Sequence, residues 1–410
     1  MRARSPSTGD PAKSSATPSR SKSSAYHATS AVDATSRKKR ESAMRFGLDE
    51  DQMSLQAAVR QLFERHAPLD ETRAAFNMSS HQGTWDRMAD MGLQGLTLPD
   101  EVGGSDATLL ELGVALQEAG RVLLPGPFLA SAGLATSVLG AGDTRTTRAW
   151  TERLAAGQLI GTACMDTTGV TVQGTGDRVV LSGGTGPVLS GDVADVLVLV
   201  STHESEVRLV VVDLAAPGVE SRVTTGVDPS RGFAEFTFDR AEASVLDSDP
   251  AAVDRALGAA ALCVAAEQVG AAEAVLAMTV DYAQTRHQFG RPIGSFQAVK
   301  HRCADMFVDV ERARSAVMAA THDLLTETAS AAEPYMAAGT ASRSFGRVAR
   351  SAIQVHGAIG FTWEHNAPRF LKRALSTAAV VAAFAPATRA VRSLETASVG
   401  DRAVVQEAVG

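Results

Sequence analysis

The chemistry open to this chain rests on three histidines, three cysteines and one dense run of basic, aromatic and glycine residues. His301, His356 and His365 supply imidazoles, but no metal-ligand spacing links them and structural or surface roles account for them. No metal site is expected. Cys164, Cys263 and Cys303 are scattered, odd in number and without a CxxC pair. They read as small buried residues in a reducing cytosol, so a cytoplasmic location is expected. Gly103 and Gly104 in "LTLPDEVGGSD" form a turn and not a phosphate loop, since no GxGxxG or Walker pattern surrounds them. The dense run is "YAQTRHQFGRPIGSFQAVKHRCADM", residues 282–306. Taken alone, Arg286 at a helix end caps carbonyls or pairs with Asp281. Trp363 and Phe361 read as packing residues.

These residues must be held by elements, and the pattern changes twice along the chain. Over 46–155, Leu55, Val59, Leu62 and Phe63 recur at helical spacing. Leu109, Leu112, Val114 and Leu116 resume an apolar pattern after the Pro99 and Gly103 break. From Gly157, "RVVLSG", "DVLVLVS", "VRLVVVDL" and "GFAEFTFD" are short, β-branched and punctuated by turn residues, which predicts strands up to about Asp249. Asp249 and Pro250 then make an N-cap and first-turn pair. Leu262, Val269, Leu276 and Ala283 repeat every seven residues among Ala and Gly, a face suited to very close helix packing. Ser295 is the expected cap of the next helix, where Phe296, Val299, Cys303, Met306, Val310, Ala313 and Val317 form a buried stripe. A further helix covers Pro334–His356. No internal repeat is found. The expected divisions are a leader over 1–43, an α domain over 44–156, a β domain over 157–249 and an α-helical domain over 250–410.

Composition narrows the function. The 410 residues are 45% hydrophobic and 21% charged, enough for a large core and two or three cooperating units. Residues 1–43 carry nine Lys/Arg and three Asp/Glu; with −7 overall, 44–410 carry −13. That acidic body disfavours nucleic acid. The leader holds eleven serines and no Leu, Ile, Phe or Trp, so it is expected to be disordered. Met44 is read as the true start of translation. No run reaches the ~18 uninterrupted apolar residues of a membrane span, so no membrane partner is expected.

The 282–306 run and "IQVHGAIGFTWEHNAPRFLKRA", residues 353–374, resemble the C-terminal signatures of acyl-CoA dehydrogenases. "GLQGLTLPDEVGG" and "LLELGVALQEAGRVLLPGPF" fit the N-terminal domain of the same family, and the resemblance runs from about Arg45 to Leu394. The order Arg286, Phe289, Gly290, Pro292, Phe296, Gln297 is its most specific part. The resemblance implies an α+β fold: an N-terminal α domain, a β barrel-like middle domain and a C-terminal four-helix bundle. It implies FAD, with Arg286, Phe289 and Gln297 serving the FAD of a neighbouring subunit and Gln354 and Gly357 touching its other side. It also implies an acyl-CoA substrate, loss of an α proton with β hydride passing to flavin N5, and electron-transfer flavoprotein as acceptor. The assembly implied is a homotetramer, or an α2β2 heterotetramer with a paralogous chain.

The departures are chemical. The family's base falls at Val381 or, on the helix before the 282–306 run, at Ala260; neither side chain can take a proton. Glu267 and Glu364 are the substitutes to consider. The flavin loops are also altered: "CMDTTG" stands for Thr-Glu-Pro-Gly and "PVLSG" for Trp-Ile-Thr, with Ser190 the candidate for the lost hydroxyl. Ala358 replaces a common second Gly. This pattern resembles the base-lacking subunits of heteromeric acyl-CoA dehydrogenases of actinobacterial steroid side-chain breakdown, where a partner chain contributes the base. Two alternatives are a same-fold flavin oxidase or monooxygenase and a non-catalytic structural subunit.

Overall fold

A computed structural model describes residues 47–70, 78–174, 176–203, 206–246 and 248–384. The chain divides into two units, Met1–Met44 and Arg45–Gly410, and the described residues belong to the second. The leader over 1–43, expected to be disordered, lies outside them.

Reciprocal caps start the first helices. Asp49 Oδ1 accepts from Gln52 N at 2.8 Å, and Gln52 Oε1 accepts from Asp49 N at 3.1 Å, opening α1 (Glu50–His66). Thr108 and Glu111 do the same for α3 (Leu109–Arg121), which follows α2 (Met78–Asp90). Val59 and Phe63 face inward, fully buried, as their spacing predicts. Flanking that buried face, Arg60 makes a two-pronged pair with buried Glu118 at 2.7 and 2.9 Å, tying α1 to α3. A π-helical stretch, Leu129–Ala135, leads into α4 (Thr136–Leu139) and then α5 (Thr144–Ala155).

The β region is one curled sheet: β1 (Gly161–Cys164), β2 (Val170–Gln173), β3 (Arg178–Gly184), β4 (Val188–Leu189), β5 (Val196–His203), β6 (Glu206–Asp213), β7 (Val219–Thr224) and β8 (Phe233–Leu246). The strand order is β1-β5-β6-β8-β3-β2, with β4 and β7 also pairing to β8. Only β1 and β5 run parallel among these pairs. The long β8 is thus the spine of the sheet. A register shift between Leu181 and Gly183 bends β3 along it.

After the sheet come α6 (Pro250–Thr285), the hairpin β9 (His287–Gln288) and β10 (Arg291–Pro292), then α7 (Gln297–Leu325), α8 (Glu333–His356) and α9 (Ala367–Ala382). One capping expectation holds and one is corrected. Asp249 occupies the N-cap of α6 with Pro250 in the first turn, as expected, though it makes no side-chain cap bond. Ser295 does not cap α7; it ends a 3-10 turn, Phe296 takes the cap position, and among the described residues the Ser295 hydroxyl has no partner. By length and composition α6 could cross a membrane, although its longest uninterrupted apolar run, residues 256–266, is well short of a span. Yet 78% of its most apolar window is buried inside the fold, which makes it the core helix.

The close packing expected of α6 is with α3. A Cβ on Gly270 would stand 1.9 Å from the Gln117 carbonyl oxygen, and one on Gly120 would stand 2.0 Å from the Glu267 carbonyl oxygen. Backbones touch there, so only glycine fits. The α7 stripe is buried at Met306, Val310, Ala313 and Val317, but Phe296, Val299 and Cys303 are only half-buried. Among the described residues, nothing covers the first turns of α7 completely.

Candidate functional site: an exposed arm and an apolar cavity

The hairpin between α6 and α7 forms an arm. Arg286 closes α6 as its C-cap residue, with its N–H donating to Tyr282 O at 2.9 Å. Its side chain is exposed. Phe289 is 90% exposed and has φ +54°. Its ring meets Phe296 edge-on, 6.1 Å between centroids, and the Arg291 guanidinium lies 4.1 Å over Phe296. Gln297 begins α7 and is exposed.

The end of α8 lies beside this arm. Tyr282, one turn before Arg286, stacks on His356 at 4.4 Å, and His356 meets His365 at 4.4 Å. Gln354 is exposed, and Gly357 ends α8 with φ +62° and open space where a Cβ would point. Arg286, Gln354 and Gly357 therefore gather at one end of the bundle. His356 is a structural residue: a backbone bond at 2.7 Å joins its Nδ1 to Ala352 O, and burial holds its pKa below the ordinary imidazole range. It donates to that carbonyl as a neutral ring.

A separate cavity of about 370 Å³ opens between the sheet and the end of α9. Cys164 at the end of β1, Met165 and Asp166 just after it, Val188 and Leu189 on β4, and Phe233 on β8 form one side. Ala379, Val380, Ala382 and Ala383 form the other. Leu189 is on the wall, whereas Ser190 is not among the lining residues. Ser190 is buried with φ +54°, and its N–H donates to Gly232 O at 2.8 Å. The structure thus brings Ser190 neither to the cavity wall nor to the arm.

The base positions are empty of chemistry. Ala260 is fully buried and Val381 half-buried, both apolar. Glu267 is sealed in an ion pair with Arg231 and lies 3.4 Å from Arg373. Glu364 sits exposed in the loop before α9, and no residue of that loop lines the cavity. The lining carboxylate that sequence reasoning missed is Asp166. Its Oδ1 accepts from Thr168 N at 3.2 Å and Thr168 Oγ1 at 2.8 Å. The "CMDTTG" departure was its only signal. Cys164 beside it donates to Asp166 O at 3.1 Å, and burial pushes its thiol up to about 12, so it is no proton acceptor near neutral pH.

The arm residues fit the diphosphate and adenosine end of FAD: a planar cationic donor, an aromatic face, an amide and an open glycine turn are together and accessible. The cavity suits the apolar faces of a flat ring but offers few side-chain donors to its polar edge. Among the described residues no His/Cys/Asp/Glu group could hold a metal ion.

Comparison with known proteins gives the family and the fold. The family description "Acyl-CoA dehydrogenase, N-terminal domain" matches residues 49–158, and "Acyl-CoA dehydrogenase, C-terminal domain" matches 251–380. The chain belongs to the acyl-CoA dehydrogenase family, flavoprotein oxidoreductases of helical, curled-sheet and helical parts. It is 34% identical over 334 residues to the acyl-CoA dehydrogenase IpdE2 of Mycobacterium tuberculosis, covering 80% of this chain and 92% of that one. Among solved structures, a variant of the Tcur3481-Tcur3483 steroid ACAD matches with TM-score 0.75 and 26% identity over 86% of this chain and 99% of that one. The ChsE4-ChsE5 complex from Mycobacterium tuberculosis matches equally well, covering 86% and 98%.

Proposed function

We propose that this chain is one subunit of an FAD-dependent acyl-CoA dehydrogenase that forms a 2,3-enoyl-CoA together with a paralogous chain. The observation that carries it is the pairing of a complete arm with a missing base: Arg286, Phe289 and Gln297 are exposed and ready, while Ala260 and Val381 cannot accept a proton. Both relatives of known structure named above are two-component assemblies by their names, which supports an α2β2 arrangement here over a homotetramer.

In this reading Arg286 grips the diphosphate across the seam between chains, Phe289 packs by the adenosine and Gln297 donates its amide. Gln354 and the Gly357 backbone approach from the adjoining helix end. The cofactor supplies hydride acceptance when bound, and electron-transfer flavoprotein takes the electrons onward. The apolar cavity excludes water from an acyl chain, and a carboxylate of the partner removes the α proton. The division at 156 and 249 separates the parts that perform these tasks. The free cysteines suit a reducing cytoplasm.

The test is an acyl-CoA dehydrogenation assay on the chain alone and on the complex with its paralogue. Activity only in the complex is expected. Full activity of the chain alone, retained after Glu364→Gln, would overturn the partner-base reading. The missing base also favours a second reading, a same-fold monooxygenase that does not deprotonate carbon; oxygen uptake without an electron carrier would select it.

A further inference from the structure

Four charged side chains are sealed together where the helical and β parts of the fold meet. Arg373 on α9 is 1% exposed and heads the largest fully buried side chains. Its Nε donates to Asp228 Oδ2 at 2.5 Å and its Nη1 to Glu267 Oε1 at 3.4 Å. Its Nη2 donates to Ser230 Oγ at 2.8 Å and to the carbonyls of Leu123 and Leu124 at 3.1 and 3.3 Å. Arg231 pairs with the other oxygen of Glu267, and the Ser230 hydroxyl donates to Asp228 Oδ1 at 2.6 Å. Two guanidiniums balance two carboxylates, and these four are the charged groups that face one another there.

One guanidinium therefore joins α9, α6, the loop between β7 and β8, and the connector after α3. Sealing ions away from water is costly, so such a cluster is weak evidence for net stability; fixing register is its better-attested use. Both sides of the cavity start from it. Phe233 follows Arg231 by two residues, and Val380 stands seven residues beyond Arg373, about 10 Å along the helix axis.

We infer that Arg373 is a positioning residue whose buried ion cluster sets the separation between the α9 wall, Val380–Ala383, and the sheet wall, Val188–Phe233, of the cavity. Nothing in this inference requires the partner-base reading, so each can fail without the other.

The electrostatic half is tested by thermal unfolding of Arg373→Met across pH. Removing the guanidinium leaves two buried carboxylates facing Arg231 alone, and the unfolding temperature at neutral pH falls on the order of 5–10 °C. Lowering the pH lets a carboxylate take a proton, so the gap to wild type narrows. In wild type the sign is opposite. Burial pushes the Asp228 carboxyl up, but Arg373 and the Ser230 hydroxyl outweigh that and hold it below the usual carboxylate range. Its contribution is present above that range and lost as pH falls through the lowered value. A gap that does not move with pH would reduce Arg373 to a packing residue and overturn the inference.

The positioning half uses Cys164, which lines the cavity, with the other cysteines as controls. Cys263 is fully buried and Cys303 half-exposed. Arg373→Lys, and the milder Ser230→Ala, are treated with a small neutral methanethiosulfonate and followed by peptide mass spectrometry. Cys164 labelling is expected to rise roughly tenfold or more, the equivalent of a local opening made about 1.4 kcal/mol easier, with Cys263 unchanged. Parallel rises at Cys164 and Cys263 would mean general loosening, and no rise in two folded variants would mean a wall set elsewhere; either result contradicts the inference.

Discussion

At the scale of single residues, the arm holds its polar groups in solvent, where desolvation has not yet been met. A bidentate charged contact contributes about 1.5–3 kcal/mol. Arg286→Ala should therefore weaken FAD retention by the complex about 10–100-fold, and Arg286→Lys should recover only part, because an ammonium cannot reproduce the planar fork. Flavin fluorescence released on dilution measures this. His356 makes a second prediction. Burial lowers its pKa and the bond to Ala352 O only partly offsets that. The unfolded chain then binds the proton more readily, so stability falls as pH drops through the ordinary imidazole range of about 6–7. His356→Phe, which keeps the ring stacking on Tyr282, should flatten the unfolding temperature there; an unchanged slope would assign it to other groups. Arg286, Phe289 and Gln297 were legible in the sequence because their order is fixed along one short segment. Asp166, Arg373 and Asp228 were not, since their partners come from 106 to 250 residues away or from a cavity wall that no spacing reveals.

At the scale of elements, the heptad of Leu262, Val269, Leu276 and Ala283 announced a tightly packed helix, and α6 is that helix. What the pattern did not show was its neighbour. Gly270 and Gly120 lie about 150 residues apart in sequence, and their backbone contacts appear only once α3 crosses α6. Because the obstacle is backbone and cannot move aside, Gly270→Ala and Gly120→Ala should each cost at least about 2–3 kcal/mol. Denaturant midpoints test this, and a loss below ~0.5 kcal/mol in both would refute the close crossing. The α7 stripe was read as wholly buried, yet Phe296, Val299 and Cys303 remain half-open. Helical periodicity marks an apolar face without saying whether its own chain covers it. Ser295 failed as a cap for a related reason: the 3-10 turn Ile293–Ser295 shifts the cap by one residue to Phe296 and the helix start to Gln297.

At the scale of the whole molecule, the exposed arm at the end of α6 and the cavity between the sheet and α9 are separate features, and the residues at the family's two base positions, Ala260 and Val381, are apolar. The helix–β–helix order was readable from the change in hydrophobic period, whereas the curl of the sheet about β8 required the pairings themselves. Exposed Phe289, Phe361 and Trp363, 74–90% accessible, add apolar area at the arm's end of the bundle that assembly would bury. The measurement that bears most directly on the account is the visible flavin spectrum of the chain purified alone and of the complex purified with its paralogue, each titrated with acyl-CoA. The account predicts a protein that keeps little flavin alone and a yellow complex bleached by substrate. A homomer that is fully yellow, and bleaches on acyl-CoA without any second chain, would contradict it.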